Sequence, residues 1–194
     1  KILLVNDLAG YGKVALSAMI PVLSHMGCET YNLPTAIVSN TLDYGKFEIL
    51  DTSEYMRKTL EVWAELGFVF DAVSTGFIIS KEQTELLTEF CKDRAEKGSI
   101  IFTDPIMGDE GVLYNGVSEE TVALMRKLIG VADYILPNYT EASYLAGAAY
   151  QEDGASEEEY HAIIERLREL GAKSVVITSA KLKDASVKSV IGYD

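Results

Sequence analysis

The stretch Ser99-Ile100-Ile101-Phe102-Thr103-Asp104-Pro105-Ile106-Met107-Gly108-Asp109-Glu110-Gly111-Val112-Leu113-Tyr114 sets two carboxylates and two glycines directly after a short apolar run. The run is β-branched and ends before a proline, so it reads as a buried strand over 99–103 with Asp104 at its carboxyl end. Open α/β sheets bind ligands in the crevice outside the carboxyl ends of their strands, and a carboxylate there is costly unless it serves a purpose.

Outward from this stretch, strand-like runs alternate with amphipathic segments of helical length. Strands are predicted at Lys1 to Val5, Glu29 to Leu33, Phe70 to Ser74, Asp133 to Leu136, Ser174 to Thr178 and Val187 to Gly192, most of them central and parallel. A helix is expected from about Gly12 to Met26. Ser80-Lys81-Glu82-Gln83 and Ser156-Glu157-Glu158-Glu159 match the capping box that satisfies amides at a helix start. Tyr160, Ile163, Ile164, Leu167 and Leu170 form one apolar stripe, and Met56, Leu60 and Trp63 another; both read as core. The rhythm is βαβ, and the architecture it implies is a three-layer α/β/α sandwich around a mostly parallel central sheet, with one domain over 1–194.

Composition narrows the partners. The chain has 194 residues, 48% of them hydrophobic, enough for one substantial core. Its 17 basic and 30 acidic residues give a formal charge of −13, which argues against phosphate backbones and anionic membranes as partners: no nucleic acid and no membrane is expected. Cys28 and Cys91 have no CxxC spacing and no adjacent histidine, and read as free thiols of a reducing compartment. The chain opens directly in a strand with no leader-like or membrane-spanning segment, so the cytoplasm is the expected location.

Polar residues recur where strands end: Asn6 and Asp7, Thr75 and Gly76, Asp104, Asn138, and Thr178 with Ser179. In a parallel sheet these ends share one edge, so residues distant in sequence can meet one ligand. Asp104 and Asp109, joined by Glu141 from Pro137-Asn138-Tyr139-Thr140-Glu141, have the hard oxygen ligands that suit Mg²⁺ on nucleotide phosphates. The plainer alternative is a tight turn at Asp109-Glu110-Gly111 with Asp104 capping an amide. Gly10-Tyr11-Gly12-Lys13-Val14-Ala15 fits the loose dinucleotide pattern G-x-G-x-x-A, but Asn32-Leu33-Pro34 stands where a ribose-binding acid would close the second strand. A Walker A loop is absent.

Asp104 to Tyr114 resembles the D-P-V-M-G-D-x-G-x-x-Y segment of the pyridoxal kinase branch of the ribokinase-like superfamily, which includes the hydroxymethylpyrimidine kinases. Ala132 to Gly147 is similar to that family's A-D-x-I-x-P-N-x-x-E-A-x-x-L-x-G segment. Val175-Val176-Ile177-Thr178-Ser179 resembles a nucleotide-side segment, and Ser39-Asn40 with Tyr44 its substrate-side S-N-x-x-x-Y.

The resemblance implies ATP-dependent phosphorylation of the 5′-hydroxymethyl group of pyridoxal, pyridoxine or pyridoxamine by a homodimer. Hydroxymethylpyrimidine phosphorylation is the alternative chemistry, and a non-catalytic B6- or nucleotide-binding protein the alternative class. By the same resemblance Asp104, Asn138, Glu141, Thr178 and Ser179 contact ATP, and Asp104, Asp109 and Glu141 serve Mg²⁺. Asn6, Ser39 and Tyr44 face the substrate. The family's G-T-G-D segment, which carries the anion hole and the catalytic base, does not occur in these residues and is expected beyond Asp194; no base is assigned here. Leu136 stands in place of a common threonine.

Overall fold

The computed structural model describes residues 1–41, 44–115, 117–183 and 185–194. It is a mixed-sheet α/β fold in two compact units, Lys1–Ile101 and Phe102–Asp194. The first unit contains β1 (Ile2–Ala9), α1 (Ala15–His25), β2 (Thr30–Val38), β3 (Ile49–Asp51), α2 (Ser53–Glu65), β4 (Ala72–Thr75) and α3 (Lys81–Glu96). The boundary falls within β5 (Ile100–Thr103). The second unit continues through the short strands β6 (Gly108–Asp109) and β7 (Val112–Leu113), then α4 (Glu119–Ile129), β8 (Tyr134–Ile135), α5 (Tyr139–Ala146), α6 (Glu157–Glu169), β9 (Ser174–Lys181) and β10 (Lys188–Tyr193).

In the first unit β1 lies between β2 and β4, parallel to both, with Leu4 opposite Asn32 and Ser74. The alternation of Leu3, Leu4 and Val5 with no polar gap marks a strand covered on both faces, and all three are fully buried. Two sequence expectations are corrected here. β1 runs on to Ala9, so Asn6 is inside the strand, beside a register irregularity between Asn6 and Leu8, and not at its end. β2 runs past Pro34 to Val38 and carries the antiparallel strand β3, which no apolar run announced. Pro34 is tolerated because it sits where that irregularity interrupts the ladder, and its carbonyl accepts the Thr52 hydroxyl at 2.6 Å. Cys28 lies between α1 and β2; Cys28 and Cys91 are both free thiols, and burial pushes the Cys91 thiol up to about 12.

The helix expected from Gly12 starts only at Ala15. Gly12 at φ 108° and Ala15 at φ 47° hold the entry in left-handed geometry, which a regular helix excludes. Beneath α2, Tyr31, Trp63, Phe68 and Phe70 form an aromatic cluster with centroids 5.1–6.2 Å apart. Ser80 accepts the Gln83 N–H as a cap, but the Gln83 side chain is fully buried and serves other partners. Its Nε2 donates to Thr35 O at 2.7 Å, and its Oε1 accepts the Ile79 N–H at 3.2 Å. The reciprocal box expected at 80–83 is therefore not formed.

In the second unit β5, β8 and β9 are parallel neighbours, Thr103 opposite Ile135 and Ile135 opposite Val175. The last strand pairs antiparallel with β9, an exception within the mostly parallel set that was expected. The box expected at Ser156 and Glu159 is present in both directions. The α6 stripe buries Tyr160, Ile163, Ile164 and Leu167. Among the described residues no helix is long and apolar enough to cross a membrane. Leu167→Ala should lower stability by about 2–5 kcal/mol in urea unfolding, from lost transfer energy plus a cavity. Val62→Ala, on an exposed face of α2, should change it by less than about 0.5 kcal/mol.

Candidate active site

The nucleotide-side residues expected from the sequence all lie in the second unit. Leu136 N–H donates to Thr103 O, which brings the end of β8 beside Asp104 at the end of β5. Two residues on, Asn138 caps α5, and Glu141 completes a reciprocal box: Asn138 Oδ1 accepts the Glu141 N–H at 2.9 Å, and Glu141 Oε2 accepts the Asn138 N–H at 2.8 Å. The sequence N-Y-T-E spells this cap. The other oxygen, Glu141 Oε1, accepts the Met107 N–H at 3.0 Å. Asn138 Nδ2 donates to Gly108 O at 2.7 Å. One helix start thus grips the loop that follows β5.

Thr178 joins the same rim. Its N–H donates to Pro137 O at 2.9 Å, and it pairs with Asn138 in an isolated parallel bridge. β9 does not end there as expected. It holds an extra residue against β10, where Ser189 and Ile191 face Ala180 and Ile177, and Ser179 takes a left-handed φ of 52°. Such a bulge redirects a side chain, and left-handed geometry at a non-glycine is a local cost that clusters at functional sites.

Asp109 lies in a hairpin. Glu110 at φ 48° and Gly111 at φ 81° form the two-residue turn between β6 and β7, so the tight-turn reading of 109–111 is correct as far as it goes. Asp109 Oδ1 accepts the Glu110 N–H at 2.8 Å, and Lys188 Nζ reaches Glu110 Oε1 at 2.6 Å. Gly108 is required: a Cβ there would stand 2.3 Å from Val112 O.

Burial raises the Glu141 carboxyl to about 8, against the backbone N–H bonds that favour its charge and with the help of the neighbouring Asp104 carboxylate. Asp104 reaches solvent at its surface, yet the surrounding protein raises it to about 6. Among the described residues no three His, Cys, Asp or Glu side chains gather closely enough to hold a metal ion. Asp104, Asp109 and Glu141 form no such cage, since Asp109 turns to its own turn amide and Glu141 to two others. Mg²⁺ on a nucleotide needs only one or two protein carboxylates, with phosphate oxygens and water completing the shell. The Asp104 carboxylate beside the buried Glu141 carboxyl is the feature of this chain that fits a cation.

The substrate-side residues all lie in the first unit. Asn6 is buried; its Oδ1 accepts the Asp7 and Phe77 N–H groups, and its Nδ2 reaches the weak acceptor Met19 Sδ at 3.7 Å. A Cβ on Gly76 would come within 2.3 Å of the Asn6 amide, so the glycine makes room for it. Ser39 follows β2 and is exposed, with Oγ donating to Asn40 Oδ1 and accepting the Glu48 N–H. Tyr44 is 64% exposed, outside the core, and meets Tyr11 edge to face at 6.2 Å.

Asp7 was named with Asn6 among the strand-end polar residues but given no role. It is buried in β1, burial raises its carboxyl, and among the described residues no ion pair forms with it. The available signal was a charge inside the apolar run Ile2–Ala9. β2 ends at Val38 before Ser39 and Asn40, again without the acid a dinucleotide site requires.

The sequence profile of the phosphomethylpyrimidine kinase family matches residues 15–193. The chain belongs to this family. It is similar to a provisionally assigned phosphomethylpyrimidine kinase from Bacteroides thetaiotaomicron, solved with pyridoxal: 38% identity, TM-score 0.94, covering 100% of this chain and 68% of that one. It is also similar to pyridoxal kinase from Lactobacillus plantarum, at 32% identity and TM-score 0.85, covering 100% and 68%. Pyridoxal kinase of Dictyostelium discoideum is 27% identical over 185 residues, which are 92% of this chain and 59% of that protein. The chain thus spans about three fifths of the length of that relative.

In this member of the family the raised Glu141 favours the protonated, folded state. Its stabilisation is complete below the ordinary carboxylate value of 4.5 and is lost as pH rises through about 8. Stability relative to Glu141→Gln should therefore fall between pH 5 and pH 8 in metal-free urea titrations; a difference independent of pH would contradict the assignment.

Proposed function

We propose that the gene product containing this chain is an ATP-dependent B6-vitamer kinase that phosphorylates the 5′-hydroxymethyl group of pyridoxal, pyridoxine or pyridoxamine. The observation that carries the reading is the rim of the second unit. There Asp104 and Asn138 follow β5 and β8, and Thr178, inside the neighbouring parallel strand β9, bridges to Asn138, beside a buried carboxylate and a hairpin carboxylate. The family match and the pyridoxal kinases among its relatives support the substrate class.

In this reading the Asn138 and Thr178 region receives the phosphates, with Ser179 presented by the bulge. Asp104 and Asp109 hold Mg²⁺ with the phosphates, Glu141 acting from behind, and the metal supplies charge neutralisation at the transferring group. Substrate binds at the first unit, where Asn6 Nδ2 offers a donor and Asp7 a buried acceptor. Ser39 and Tyr44 flank the β2 end. Catalysis comes from holding the hydroxyl and the phosphoryl group in line and from electrostatic stabilisation, with no covalent bond to the protein. A homodimer acting in the cytoplasm completes the proposal.

Pyrimidine phosphorylation is the second reading, supported by the family's own description. The test is phosphate transfer from Mg²⁺·ATP to pyridoxal and to hydroxymethylpyrimidine, side by side, with the complete gene product. Preference for pyridoxal is expected; preference for the pyrimidine would move the enzyme to the second reading, and transfer to neither would leave a binding protein. Asp109→Asn should raise the Mg²⁺ concentration for half-maximal turnover about tenfold without unfolding the chain. An unchanged Mg²⁺ titration would remove Asp109 from the metal site.

A further inference from the structure

Asp109 is an exposed residue on a two-residue turn, and such a turn is a poor platform for a side chain that must hold its position. The structure answers this with anchors beneath the turn. The Gly111 N–H donates to Thr140 Oγ1 at 2.8 Å, and Thr140, in the first turn of α5, is 1% exposed. The Tyr144 hydroxyl, one helical turn on, donates to Gly111 O at 3.4 Å. The Tyr150 ring closes the space under Gly111, where a Cβ would come within 2.6 Å of Cδ1. Above, Lys188 pairs with Glu110.

We infer that Thr140 is a positioning residue for the metal-bound nucleotide: its buried hydroxyl fixes the β6–β7 turn, and through it the Asp109 carboxylate, against the helix start that carries Asn138 and Glu141. The inference rests on the kinase reading of this rim. Its physical content is the shared base. Thr140 lies between Asn138, which binds Gly108 O, and Glu141, which binds Met107 N–H, so residues 138, 140 and 141 of one helix turn hold residues 107, 108 and 111 of the hairpin. A threonine supplies the acceptor with little rotamer freedom, and valine is its isostere without the oxygen.

The experiment compares Thr140→Val and Thr140→Ser in the complete gene product. Two readouts are used: calorimetric titration of ADP at stepped Mg²⁺, and hydrogen exchange of the Gly111 amide. The valine variant should weaken Mg²⁺-dependent ADP binding about tenfold, the effect of one lost buried hydrogen bond, and speed Gly111 exchange. Binding of pyridoxal should not change. The serine variant should restore both readouts to within about twofold.

Unaltered Mg²⁺·ADP affinity in Thr140→Val, with wild-type ADP binding intact, would overturn the inference and leave the kinase reading standing. So would equal losses in the valine and serine variants, or weakening of ADP binding that is independent of Mg²⁺. If Thr140→Val fails to fold, Thr140→Ala gives the same comparison. Absence of Mg²⁺-dependent ADP binding by the unsubstituted protein would overturn the nucleotide reading together with the inference.

Discussion

The Glu141 carboxylate accepts one N–H from the residue that caps its own helix and another from Met107, far back along the chain, and the rim of the second unit is organised around that pair of bonds. Burying a carboxylate is expensive, and each charge-assisted bond returns only about 1.5–3 kcal/mol. Burial nonetheless dominates, since the group is raised to about 8 with Asp104 adding repulsion. A residue held at such a cost fixes geometry: it ties the start of α5 to the loop after β5, and Asn138 and Thr140 add the hairpin to the same anchor.

Two strained residues of the second unit lie next to the proposed nucleotide-side residues. Left-handed φ at a non-glycine costs about 1–2 kcal/mol, and among the described residues it occurs at Ala15, Glu110 and Ser179. Glu110 is next to Asp109, and Ser179 follows Thr178. Ala15 opens α1 after the glycines that carry Tyr11. Glu110 and Ser179 thus flank residues proposed to meet a ligand, the distribution expected where backbone is shaped for binding and not for stability.

The fold was legible because its signal is local and repeated. The runs at 99–103 and 174–178 are apolar and β-branched, and the S-x-x-E pattern at 156–159 is written within four residues. The boundaries were less legible. Pro34 ended the predicted strand, yet β2 continues, because a bulge against Asn6 absorbs the missing donor. Ser179 was expected past a strand end and lies inside a bulge, since the pairing partner that creates the extra residue is ten positions further along the chain.

The site divides in the same way. By itself the sequence determined the carboxylates after β5, the Ser156 cap and the family, since chemistry and capping reside in residue type and short spacing. Only the tertiary structure decided that Glu141 faces Met107, that Thr140 holds Gly111, that Gly76 makes room for Asn6 and that Asp7 is buried without an ion pair among the described residues. Those facts depend on which backbone groups arrive from distant segments. Burial, the quantity that sets each carboxylate's charge, is a property of the packed chain and not of any residue in it.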